Sequence, residues 1–173
     1  MNSNSEPRDV CGSEAADLTF VAVRQDDPRA APLIDELAVE YADRYGGRRE
    51  RVAAWLRNYP AAEFEPPDGV LLIGLLDGQP VTGGAFRRFD DSTAELKRIW
   101  TDARYRRRGC ARALVTRLEA DIAQAGYRRV YLTTGDRQPE AVALYESLGY
   151  TRLAGPLPAP GEENYPVAFL KAL

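Results

Sequence analysis

Between Thr93 and Gln124 the chain reads as a strand, an arginine-rich turn and a helix that opens at Gly109. A further strand at 128–133 follows, so the three pieces predict a parallel strand–helix–strand crossover. That unit commits the chain to a sheet with a helix packed on it. The junction itself is chemically loaded. Gly109 and Ala111 are small, which lets a ligand approach the backbone. A helix start offers unpaired N–H groups and the positive end of a dipole. Arg104, Arg106, Arg107, Arg108 and Arg112 surround it with cations. Together these features suit a phosphate or pyrophosphate. The glycine spacing matches neither the P-loop nor the dinucleotide G-x-G-x-x-G pattern.

The remaining elements follow in order. Met1–Asp17 is polar and aperiodic, and a mobile tail is expected there. Leu18–Arg24 is a short strand. Asp26-Asp27-Pro28 starts a helix in which Leu33, Leu37, Tyr41 and Tyr45 recur at helical spacing, and Gly46-Gly47 stops it. A second helix carries Val52, Trp55, Leu56 and Tyr59 on one face. Val70–Asp77 is a buried-strand run, Gly78-Gln79 a hairpin turn and Pro80–Arg88 the returning strand. Phe89–Ser92 turns the chain into Thr93–Thr101. After the crossover, a helix with Pro139 in its first turn places Ala141, Leu144, Tyr145 and Leu148 together. Gly149-Tyr150 leads into another strand, and a proline-rich loop at 155–166 precedes the last, Val167–Lys171. The order β-αα-βββ-α-β-α-ββ contains no internal repeat, so residues 18–173 are expected to form one domain.

Composition narrows the function. The 173 residues carry a net charge of −3, which argues against a dedicated nucleic-acid binder. No apolar run is long enough to cross a membrane, and the N-terminus lacks the apolar segment of a secretory signal. Cys11 and Cys110 lie far apart, so neither a disulfide framework nor a metal site is expected, and a reducing cytoplasm fits. Histidine is absent, so acid–base chemistry falls to carboxylates, tyrosine, thiol or water.

The pattern Arg106-x-x-Gly109-x-Ala111 resembles the coenzyme A signature of the GNAT acyltransferase superfamily. Glu140–Tyr150, with its A-x-x-L-Y run followed by Gly149-Tyr150, resembles the second signature of that superfamily. The resemblance implies an α/β (α+β) GNAT fold. This is a mixed central sheet of about seven strands with helices on both faces, splayed into a V between the strand ending near Thr101 and the one starting near Arg128. It implies acetyl-CoA as cosubstrate, a primary amine as acceptor, direct attack in a ternary complex, and no metal. Dimers are common in the superfamily.

The resemblance also implies roles for residues. Arg106, Arg107, Arg108, Gly109, Cys110, Ala111 and Arg112 would clamp the pyrophosphate. Main-chain groups of Ile99, Trp100 and Thr101 would pair with the pantetheine arm like an added half-strand. The plain alternative is a solvated arginine turn with a small-residue cap. Tyr145 corresponds to the superfamily's general acid for the departing thiolate; its plain alternative is a tyrosine packed in the core. Glu95 is the candidate base, and the alternative is a solvent-facing glutamate paired with Lys97 or Arg98. A second subgroup uses a glutamate where this chain has Thr133, in Leu132-Thr133-Thr134-Gly135. Threonine cannot serve, so the base is Glu95 or a water. Cys110 reads as a packing residue, with a regulatory thiol as the alternative.

Asp35, Glu36, Glu40, Tyr41, Asp43, Tyr45 and Trp55, with Glu162, Glu163 and Tyr165, would suit a cationic acceptor amine. Two rivals differ in class. A catalytically silent coenzyme A-binding module would bind the cofactor without turnover. A nucleic-acid binder using the arginines would show steep salt dependence.

Overall fold

The computed structural model describes residues 15–158 and 166–173. Seven strands form one mixed sheet: β1 (Thr19–Ala22), β2 (Val70–Leu76), β3 (Gln79–Arg88), β4 (Thr93–Thr101), β5 (Arg129–Thr134), β6 (Thr151–Arg152) and β7 (Val167–Ala172). Their spatial order is β1-β2-β3-β4-β5-β7-β6. The helices are α1 (Ala31–Tyr45), α2 (Arg49–Asn58), α3 (Cys110–Gln124) and α4 (Pro139–Ser147). Element order, mixed sheet and two-sided helix cover match the expected GNAT architecture.

Alternation along the central strands divides the core in two. Leu72, Ala94 and Leu96 face α3 with Leu114, Leu118 and Ile122; Leu71, Ile73 and Trp100 face α1 and α2 with Leu33, Leu37 and Leu56. Burial of both faces explains why β2 reads as a continuous apolar run rather than an alternating one.

The β2–β3 hairpin turns on Asp77-Gly78, one residue earlier than expected, and Gln79 already belongs to β3. Both turn residues have positive φ, 50° and 76°. A two-residue turn of that hand needs residues that tolerate the left-handed region, and Asp-Gly does so where Gly-Gln does not. The helix expected from Asp26-Asp27-Pro28 begins as a 3-10 turn, Pro28–Ala30, capped by the Asp27 carboxylate, before α1 takes over. Within the expected N-terminal tail, Ala15–Asp17 form a 3-10 turn, and 1–14 lie outside the described residues. Trp55 departs from the inward face proposed for α2: Ala53 and Leu56 are buried there, while Trp55 is 53% exposed.

β4 and β5 run parallel but pair only at Thr93–Glu95 with Arg129–Tyr131. Beyond Glu95 they diverge, which is the expected V. β4 remains paired to β3 on its other side, Thr82 opposite Thr101 and Gly83 opposite Trp100. Among the described residues no strand pairs with the edge of β4 that faces the divergence beyond Glu95. Among the described residues no helix is long and apolar enough to cross a membrane.

Candidate active site

A cavity of about 610 Å³ fills the divergence. One wall is Leu96–Thr101 of β4, the other Leu132–Gly135 of β5 with Ala141, Leu144 and Tyr145 of α4. Arg106, Arg107, Gly109, Cys110, Ala111 and Arg112 close one end, and Tyr41, Trp55, Leu56, Tyr59 and Phe64 form the other. The expected clamp, strand wall and tyrosine thus surround one space.

The arginine turn is built from Asp102. Its buried carboxylate accepts the Arg104 backbone N–H at 2.8 Å and pairs with the Arg104 side chain. The Arg104 guanidinium holds this carboxyl below the usual carboxylate range. A 3-10 turn, Ala103–Tyr105, follows, and then two left-handed residues, Arg107 at φ 62° and Gly109 at φ 83°. Gly109 is the N-cap of α3 rather than its first residue, and as a glycine it has no side chain with which to cap the helix. A helix start of this kind directs its first N–H groups and the positive end of its dipole toward an anionic ligand. Glycine is required at 109 by conformation rather than by crowding, since an added Cβ would meet only the Ala15 Cβ at 3.4 Å.

The arginines divide their work. Arg106 reaches back across the cleft, donating to the Thr101 carbonyl at 3.2 Å and pairing with Glu40 of α1 at 3.4 Å. Arg112 donates to the Ser147 hydroxyl of α4 at 2.7 Å. Arg108 lies against the Tyr105 ring. Glu40 also pairs with Arg44, which bonds Glu140 and the Arg137 carbonyl beyond β5. Burial pushes the Glu140 carboxyl up, but its own backbone N–H and Arg44 outweigh that and its pKa is lowered. The chain Arg106–Glu40–Arg44–Glu140 spans the mouth of the V. Tyr45 covers Gly135, where an added Cβ would fall 1.5 Å from the tyrosine oxygen.

Of the strand residues, Ile99 packs into the α3 core, and the Trp100 indole donates to Glu36 at 2.9 Å on the opposite face. Both residues line the cavity, as does Thr101. Cys110 is buried and forms no disulfide.

Tyr145 is 5% exposed, packed edge-on to Tyr150 at 5.5 Å and against Phe169 at 5.9 Å. Its ring belongs to the core while the residue lines the cavity, so the packing and functional readings coexist. Burial pushes the Tyr145 phenol above its ordinary value, keeping it protonated. Among the described residues its hydroxyl has no hydrogen-bond partner.

Glu95 is 2% exposed and does not line the cavity. Its Oε2 accepts from Arg87 Nε and Nη2 at 2.9 and 2.8 Å, and Lys97 Nζ lies 3.2 Å from Oε1. Arg87 also donates to Glu63 at 2.7 Å. Burial works against the Arg87 charge, but Glu63 and Glu95 raise its pKa above the ordinary arginine range. Neither the solvent-facing position nor the Arg98 pairing considered above is found; the principal partner is Arg87, directly opposite Glu95 in the β3–β4 register. Thr133 lines the cavity as a neutral side chain.

The acidic residues expected to meet an acceptor are largely engaged elsewhere. Asp35 pairs with Arg57, Asp43 with Arg49, and Glu36 takes the Trp100 indole. Glu40, Tyr41 and Trp55 reach the cavity. Glu162, Glu163 and Tyr165 lie outside the described residues. Among the described residues no cluster of His, Cys, Asp or Glu could hold a metal ion.

A sequence model of the acetyltransferase (GNAT) family matches residues 30–150. N-acetylaspartate synthetase of Danio rerio is 36% identical over 91 residues, 52% of this chain and 32% of that protein. This chain thus spans about a third of the length of such curated relatives. The uncharacterized N-acetyltransferase YjgM of Escherichia coli is 26% identical over 86% of this chain and 90% of its own. A GNAT family acetyltransferase from Elizabethkingia anophelis, solved with acetyl-CoA bound, superposes with a TM-score of 0.63, at 14% identity over 91% of this chain and 99% of that one.

Proposed function

Because this chain belongs to the GNAT family of acetyltransferases, we propose that it transfers an acetyl group from acetyl-CoA to a primary amine by direct attack in a ternary complex in the cytoplasm. The observation that carries the reading is the shared cavity: the start of α3 at Gly109, the β4 stretch Leu96–Thr101 where it has parted from β5, and Tyr145 all border one space.

Acetyl-CoA supplies an activated acetyl carbonyl and a leaving thiolate. The N–H groups from Arg106 to Arg112, with the Arg107 and Arg112 side chains, receive the pyrophosphate at the positive end of α3. Main chain of Ile99, Trp100 and Thr101 holds the pantetheine arm as an added strand would be held. The amine nitrogen attacks the carbonyl carbon, the N–C bond forms and the C–S bond breaks. Tyr145 donates its proton to the departing sulfur and regains one from the nitrogen as it becomes the neutral amide, a role that burial favours by keeping the phenol neutral. The ammonium proton of the acceptor leaves through water. Glu95 stands behind the β4 wall with both oxygens already engaged, so its part is to accept that proton from the water rather than from the amine directly. Among the relatives, N-acetylaspartate synthetase is named for a product acetylated on an amino-acid amine, and amino-acid amines head the acceptors to screen.

Free-thiol release from acetyl-CoA against a panel of amines tests the reading. Thiol appearing only when an amine is present supports acetyl transfer. Cofactor binding with no release across the panel would instead describe a silent coenzyme A-binding module.

A further inference from the structure

The β3–β4 pairing contains an irregularity that places charge in an unusual position. Gly83 pairs with Trp100 but Ala85 pairs with Lys97, so Gly84 alone stands opposite both Arg98 and Ile99. Arg98 takes up the extra residue at φ 60°, a left-handed conformation that a long side chain adopts only at a cost. Strict alternation would put Arg98 on the face of Leu96, inside the α3 core. The bulge turns it over, so Lys97 and Arg98, adjacent in sequence, both face α1 and α2 at the aromatic end of the cavity, and both line it.

Arg98 is 8% exposed. Its guanidinium lies 5.3 Å from the Tyr59 ring centroid and 4.9 Å from that of Phe64. Its hydrogen bonds go to neutral acceptors: the Gln25 side-chain oxygen at 2.8 Å and the Leu56 carbonyl in the last turn of α2 at 2.5 Å. Among the described residues no carboxylate pairs with it. Burial lowers its pKa to about 10, offset only in part by the Tyr41 and Tyr59 phenols. Buried cations are ordinarily paired.

We propose that the acceptor amine also carries a carboxylate, and that Arg98, with Lys97 beside it, binds that carboxylate while the aromatic rings of Tyr41, Tyr59 and Phe64 enclose the carbon stem. The geometry selects an amino-acid-like acceptor over a simple amine or a polyamine. This inference rests on the acetyl-transfer reading above. The strained bulge is the device that delivers two cations to the acceptor end, and Gly84 permits it: an added Cβ there would fall 2.6 Å from the Ile99 Cδ1.

The experiment compares kcat/KM by thiol release for free amino acids, for their α-carboxamides and, for the dicarboxylic ones, for their side-chain amides. The acid should exceed the matching amide by at least tenfold, and the amide that loses more identifies the carboxylate being read. Lys97→Met and Arg98→Met should each reduce the acid-over-amide ratio by about tenfold, with Arg98→Lys restoring part of it. A purely structural role for Arg98, holding the end of α2, would lower both rates together and leave the ratio unmoved, which overturns the proposal. If Arg98→Met fails to fold, the wild-type ratio and Lys97→Met decide. Amides accepted as well as acids, or an acetyl-CoA-binding protein that acetylates neither, also overturn it. The absence of any thermal stabilisation by acetyl-CoA would instead remove the reading beneath it.

Discussion

Tyr145→Phe removes one oxygen from a ring that the core continues to hold. The contacts with Tyr150 at 5.5 Å and Phe169 at 5.9 Å are made by the ring, and the hydroxyl has no protein partner to lose among the described residues. Stability should therefore change by less than about 0.5 kcal/mol, within the range of substitutions that leave packing intact. Turnover should not be spared. Without a proton donor the thiolate must leave unprotonated or take its proton from water, and the loss should be roughly 10- to 100-fold, at or just below the lower end of the usual range for one acid–base group. That corresponds to about 1.4 to 2.7 kcal/mol of barrier. Because burial raises the Tyr145 pKa, the wild-type enzyme should show no alkaline loss of kcat from this group up to about pH 10, the ordinary phenol value. The assay is steady-state thiol release across pH, paired with thermal denaturation of both proteins. A Phe variant with unchanged melting temperature and unchanged kcat would refute the reasoning and leave Tyr145 as a core residue only.

Glu95→Gln should cost on the order of 3 kcal/mol, because it removes the negative charge from a buried pair with Arg87; denaturant unfolding measures this. The same variant should shift the acid limb of the pH–rate profile, and an unaltered profile would assign proton removal to water without Glu95. Stability should fall as pH rises from about 10. Burial raises the folded-state pKa of Tyr145 and Tyr150, so above the unfolded value the folded state binds more protons than the unfolded one and loses its advantage. Melting temperatures measured from pH 8 upward check the sign, and a rise would contradict it.

Much of the scaffold was legible because periodicity and turn chemistry are local. The strand–turn–helix at 93–124, the Pro139 helix start and the glycine stops all fall where the residues place them. The site was legible in its backbone parts, since Gly109 and the strand end at Thr101 need only a sequence position and a fold. Two features were not. Burial of Glu95 depends on Arg87, a residue remote in sequence by eight but adjacent across the hairpin. Arg98 reaches the acceptor end only through a left-handed bulge that no residue at 98 signals; the sole hint is Gly83-Gly84 on the facing strand, where glycine in a strand marks a bulge or a close approach. Charged residues on α1 that suggested an acceptor surface turn out to be largely paired with arginines; Glu40–Arg44 follows from i,i+4 spacing, but the pairs with Arg49, Arg57 and Arg106 are settled by neighbours outside the helix.

The most direct test is the melting temperature with and without saturating acetyl-CoA, with Gly109→Trp as the control. At 100 times its dissociation constant a ligand stabilises by about 2.7 kcal/mol, or about 5–10 °C for a domain of this size. The account predicts that rise for the wild type. It predicts none for Gly109→Trp, whose side chain would occupy the helix start and whose φ of 83° is itself strained for tryptophan. No rise for the wild type would contradict the assignment of the arginine turn as a coenzyme A clamp, and an equal rise in both would place the ligand elsewhere.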